Sequence, residues 1–181
     1  MRAVAGMMLV LLLGACRAGS STKPSGPWLQ ATWSGAATGG IAAPAIAEWC
    51  DTLHLLEIRA VHGDTGVALA LYPSEAMRPG AYPVQRPELA DSIPPAAAVA
   101  VRWFGETTIQ AYQGQSGQVV IDRGGRTLSG RFEASSLPPG GTGKLKLSGW
   151  FRDLSIRPAA RGCVARGSVP PAPPASDSGV H

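Results

Sequence analysis

An all-β fold is the expectation: an antiparallel β-sandwich of about eight or nine short strands, with a small β-barrel as the alternative. Three observations predict it. Gly supplies 23 and Pro 16 of 181 residues, and both interrupt long helices. Apolar residues recur with period two in short runs, the mark of half-buried strands. Gly- or Pro-containing turns separate those runs. A sheet with one apolar face must cover it, and a second sheet does so most simply.

Residues 28–36 form the first candidate strand. Residues 52–61 follow, with Leu56 and Ile58 on one face and Glu57 and Arg59 on the other. Residues 66–72 alternate Val67, Leu69 and Leu71 with Ala, and 80–84 is a short run. Residues 97–104 carry Val99, Val101 and Trp103 in phase. Residues 107–113, 118–123, 127–135 and 144–157 complete the set. The turns at His62-Gly63-Asp64-Thr65-Gly66 and Asp122-Arg123-Gly124-Gly125-Arg126 read as hairpins, because Gly admits positive φ. A longer turn spans 137–143. Residues 42–48 hold Ala and Ile at helical spacing broken by Pro44, and read as one helical turn or a loop. The stretch 73–95, with six prolines, reads as a Pro-stiffened surface connection, a functional loop being the alternative.

Leu128-Ser129-Gly130-Arg131-Phe132 recurs as Leu147-Ser148-Gly149-Trp150-Phe151. The 19-residue spacing suits the two strands of one hairpin. A glycine inside a strand marks close approach of another group, so the pair is expected to admit a large ring, Trp103 or Trp33. With Phe151 inward, alternation turns Trp150 outward, either under a loop or in a second layer of the core, or onto an exposed surface. A cluster of Trp150 with its repeat counterpart Arg131 would make a ligand surface, since an exposed Trp joins apolar area to a polar edge.

Before the first strand stands a leader. Arg2 precedes an apolar run at 7–13, and small residues follow, the layout of a secretory signal. The run is far shorter than the ~20 residues that span a bilayer as a helix. Leu13-Gly14-Ala15-Cys16 resembles the lipobox of bacterial lipoproteins. That resemblance implies lipidation of Cys16 by diacylglycerol, cleavage before it, and further acylation, for example by palmitate. Two or three chains on one residue hold a protein to a membrane durably, where a single chain would not. Arg17, in the place where Asp favours the inner membrane in that family, implies the outer membrane, facing periplasm or surface. Removal of residues 1–15 leaves 166 residues and a formal charge of +3. Residues 16–27, rich in Gly, Ser and Pro, read as the lipidated Cys and a flexible tether. Residues 28–165 read as the domain, and 166–181 as a disordered Pro-rich tail.

Within the domain, the order Gly80-Ala81-Tyr82, Gly117-Gln118-Val119-Val120-Ile121, Leu-Ser-Gly-x-Phe and a last Gly-x-Phe is similar to small β-sandwich lipoproteins of unknown function. The resemblance carries no activity with it.

With Cys16 lipidated, Cys50 and Cys163 remain. An exported pair persists as a disulfide, with two free thiols as the alternative. Neither stands at metal-ligand spacing. Gly-x-Ser-x-Gly and His-Glu-x-x-His are both absent, which removes the commonest serine and zinc hydrolase signatures. His54, His62 and His181 suggest no metal site, and Ser129 and Ser148 sit inside strands rather than on nucleophile turns. No catalytic residue, metal or cofactor is therefore expected. The basic residues are scattered, and nucleic-acid binding calls for a patch. The leading expectation is a membrane-anchored, non-enzymatic binding or structural module of the cell envelope, its partner an envelope protein or a glycan. The second is an envelope enzyme, a glycan or peptide hydrolase, with an unrecognised site.

Overall fold

A computed structural model describes residues 25–105, 107–124 and 126–159. Among them are β1 (Trp28–Gly35), β2 (Gly39–Cys50), β3 (Leu55–His62), β4 (Thr65–Tyr72) and β5 (Gly80–Pro83). The helix α1 (Pro87–Ala90) precedes β6 (Ala96–Phe104), β7 (Ile109–Arg123), β8 (Thr127–Leu137) and β9 (Leu145–Pro158). The leader, Cys16, Cys163 and the Pro-rich tail lie outside the described residues.

The chain is all-β, and the barrel alternative is the one it adopts. Strands β1, β2, β3, β4, β6, β7, β8 and β9 pair antiparallel in that order, and β9 returns to β1. The sandwich expectation is corrected for a physical reason. The β7–β8 and β1–β9 ladders join what would have been two sheets, so one sheet covers its own apolar face. Long strands must bend to close a small barrel, and bulges supply bend and twist. The β7–β8 ladder shifts register between Gly114 and Ser116 and again between Ile121 and Arg123. Gly117, between the shifts, has φ +130, and a Cβ there would run into the Glu133 carbonyl.

The strand at β2 replaces the helical turn or loop expected for 42–48. Ile41, Ala43, Ala45 and Ala47 face the core, while Ala42, Pro44 and Ile46 face out. Pro44 is tolerated because its missing N–H falls at a changeover. Pairing with β1 ends at Pro44, and pairing with β3 begins at Ala45. Residues 107–113 and 118–123, expected as two strands, are one continuous β7. The 73–95 stretch is more than a connection. β6 and β7 pair only from Ala100 and Gln113 toward their shared turn, and β5 fills the gap beyond by pairing with residues 118–121 of β7. The Val84 N–H donates to the Gly117 carbonyl (2.9 Å) and the Gln85 N–H to the Ala97 carbonyl (2.8 Å). After β5, Ala90 of α1 packs outside the barrel on Ala70, Ala96 and Ala98.

Alternate residues of every barrel strand fill the interior. Trp33, Trp103 and Tyr112 stack with centroids 5.4 and 5.5 Å apart, near the turns where β1, β6 and β7 end or begin. The repeated pentapeptides pair with each other across β8 and β9. Gly130 lies opposite Phe151, and Gly149 opposite Phe132. A Cβ on Gly149 would stand 2.6 Å from the Phe132 ring, and one on Gly130 2.7 Å from the Phe151 ring. Each glycine thus admits the other repeat's phenylalanine. The expected guests, Trp103 and Trp33, are corrected to Phe151 and Phe132.

Candidate functional site

Pairing of the repeats fixes the outer face as well as the inner one. Since Gly130 and Phe132 oppose Phe151 and Gly149, the residue between them, Arg131, lies directly opposite Trp150. The sequence placed both on one surface, and the register makes them cross-strand neighbours, the unit of side-chain contact in a sheet. Both neighbouring ladders continue the row, to Val120 on β7 and Gln30 on β1. A second row, Gln118, Glu133, Ser148 and Thr32, crosses the same four strands two residues along.

A shallow depression of about 520 Å³ covers these two rows. Trp150, half-buried, forms part of its wall. The Arg152 guanidinium lies 5.1 Å from the Trp150 ring centre. That contact is a cation–π interaction, and Arg152 is not among the residues lining the depression. Arg131 forms an ion pair with Asp122 of the same outer face. Gln118 Nε2 donates to Glu133 Oε1 at 3.0 Å. The face is thus a set of positioned polar groups around one aromatic ring.

A second depression, about 560 Å³, adjoins the first and shares Thr32, Glu133 and Ser148 with it. Lys144 and Lys146 line its far part. Both are exposed, and neither forms an ion pair with another described residue. The sequence reading missed the lysines and the polar rows. Their signal was the outward phase of each strand, one residue off the buried one, but only the β1–β9 and β7–β8 ladders bring those phases together.

The other candidates are dispersed. Ser129 Oγ accepts the Asp153 N–H (3.2 Å) at a bulge of β9, where Asp153 has φ +56. Ser148 belongs to the depression, opposite Glu133, whose carboxylate accepts from Gln118 Nε2. His54 contacts the Glu75 carbonyl through Nε2 (2.6 Å) and the Trp49 ring edge-on (5.1 Å), and His62 ends β3 exposed. Among the described residues no three of His, Cys, Asp and Glu are grouped to hold a metal ion. No described helix is long and apolar enough to cross a membrane. Cys50 is buried at the end of β2. No protein family, no curated protein and no solved structure matches the chain.

Proposed function

We propose that the chain is a membrane-anchored extracytoplasmic lipoprotein whose barrel is a non-enzymatic binding module, working through the outer face of β7, β8, β9 and β1. The observation that carries the reading is the juxtaposition of Arg131 and Trp150 in a depression that also presents the amides of Gln30 and Gln118 and the hydroxyls of Thr32 and Ser148. Binding suits this chemistry better than hydrolysis. Glycoside cleavage uses two carboxylates across the bond, and both depressions together present one, Glu133, already engaged by Gln118.

The address rests on the Leu13-Gly14-Ala15-Cys16 lipobox. The membrane itself is then one partner, through the lipid on Cys16, and the outer membrane is the proposed site by Arg17. A Cys50–Cys163 disulfide belongs to the same reading. Its support is local: the Ala159 N–H donates to the Trp49 carbonyl, beside Cys50, at 2.9 Å. Residue 159, four before Cys163 in sequence, is therefore held next to the end of β2.

Two measurements test the reading. Cell fractionation of Cys16→Ser is expected to move the protein from membrane to soluble fraction with its leader unprocessed; unchanged membrane retention and processing would refute the anchor. The soluble chain lacking residues 1–16 is expected to co-sediment with envelope fragments, and Trp150→Ala to abolish this while leaving the melting temperature unchanged. Equal co-sedimentation of the folded variant would remove the binding face.

A further inference from the structure

The two depressions share three residues, so they run together as one trough across the outer wall. Its two ends differ. Trp150 offers a ring at one, and Lys144 and Lys146 bring to the other two cations with no ion-pair partner among the described residues. Trp150 and Lys146 stand four residues apart on β9, a separation of about 13 Å along a strand. We propose, building on the binding reading above, that the trough takes a linear saccharide bearing acidic substituents, with a sugar ring on Trp150 and an anionic group at Lys144 and Lys146.

Three features favour this ligand. First, β7, β8, β9 and β1 are each paired on both sides beneath the trough. Their main-chain groups are used, so an extended peptide finds no edge to join as a further strand. Second, the trough presents hydroxyls, amides and one carboxylate, from Thr32, Ser148, Gln30, Gln118 and Glu133, beside the apolar Val120. The polar groups match a chain of hydroxyls, each able to donate and accept. Glu133, fixed by Gln118, is an acceptor for saccharide hydroxyls. Third, the charges are complementary. Arg131 is neutralised by Asp122 and Arg59 by Glu48, whereas Lys144 and Lys146 face the trough without an acidic partner among the described residues. The length separates a chain from a single sugar, because one ring on Trp150 does not reach the lysines.

Calorimetric titration of the soluble mature chain with oligogalacturonate and with a neutral galactose oligomer of equal length tests this. Tighter binding of the acidic oligomer is expected, weakening as salt is raised. Lys144→Gln with Lys146→Gln should weaken the acidic ligand about tenfold, the loss of one charge-assisted contact, and leave the neutral one unchanged. Trp150→Ala should weaken both. Equal affinity for the two oligomers, or no effect of the lysine pair, overturns the acidic assignment. If neither oligomer binds, the saccharide proposal falls. The binding reading still stands in that case if Trp150→Ala abolishes co-sedimentation with envelope fragments. If folded Trp150→Ala changes neither assay, both fall.

Discussion

Two glycines set the spacing of the wall that carries the candidate site. A side chain at Gly130 would meet the Phe151 ring and the Val120 carbonyl, and one at Gly149 the Phe132 ring and the Gln30 carbonyl. Overpacking of this kind typically costs about 1–3 kcal/mol, and here a backbone oxygen is among the atoms that must move. Gly130→Ala and Gly149→Ala are each expected to lower unfolding free energy by about 2 kcal/mol or more. Gly66→Ala is the comparison, since its Cβ would meet its nearest neighbour at 3.6 Å, an ordinary contact. It should change stability by less than about 0.5 kcal/mol. Chemical denaturation reads all three, and equal midpoints would show that the glycines are incidental. The Leu-Ser-Gly-x-Phe repeat was legible in the sequence, together with its placement on one hairpin and the outward phase of Trp150. The identity of the rings was not. Phase states that a glycine faces inward, but only the 130↔151 and 149↔132 register states what it faces.

At the level of elements, alternation located most strands to within a few residues and failed where another signal masked it. Gly39–Cys50 alternates as cleanly as any strand, yet its buried set is mostly alanine, and Pro44 interrupts the run. Alanine carries little β preference, so periodicity alone pointed two ways. In 73–95 the prolines masked Tyr82, whose ring is buried in the barrel core and whose hydroxyl donates to the Arg78 carbonyl at 3.0 Å. Four residues of β5 then do what a longer β6–β7 ladder would otherwise do, which makes them a test of the closed wall. Replacing residues 80–84 with a Gly-Ser segment of equal length removes both the Tyr82 ring and the pairing with 118–121. Loss of a buried aromatic alone costs about 3–5 kcal/mol. Hydrogen exchange is expected to accelerate first at residues 97–100 and 117–121, ahead of the β1–β2 ladder. Uniform acceleration across the barrel would mean that β5 adds general stability but closes no local seam.

For the whole molecule, the strand pattern could not choose between sandwich and barrel, because both give one buried face per strand and the same period of two. The choice lies in pairings between residues far apart in sequence, above all Trp28–Gly35 with 145–152. The polar trough shares that limit, since its rows exist only once the wall is closed. Closure also bears on the cysteines. Past Trp28, β9 runs on beside β2 in parallel, with Ala47 opposite Ile156 and Trp49 opposite Pro158. The last described residue, 159, is thus already held against the strand that ends in Cys50. A Cys50–Cys163 bond would need no rearrangement of the barrel, and it would close a loop of over a hundred residues in the unfolded chain, for which chain entropy gives ~4.7 kcal/mol and engineered precedent about 2–4. Cys163→Ser is expected to lower unfolding free energy by about 2–4 kcal/mol, and reductant should bring the unmodified chain to the same midpoint. Cys50→Ser should be the more damaging of the two, because it also places a hydroxyl at a buried position. If the unreduced mature chain titrates two thiols in denaturant, or if Cys163→Ser leaves the midpoint unchanged, the bond does not exist. The β2–β9 ladder would then hold this end of the barrel alone.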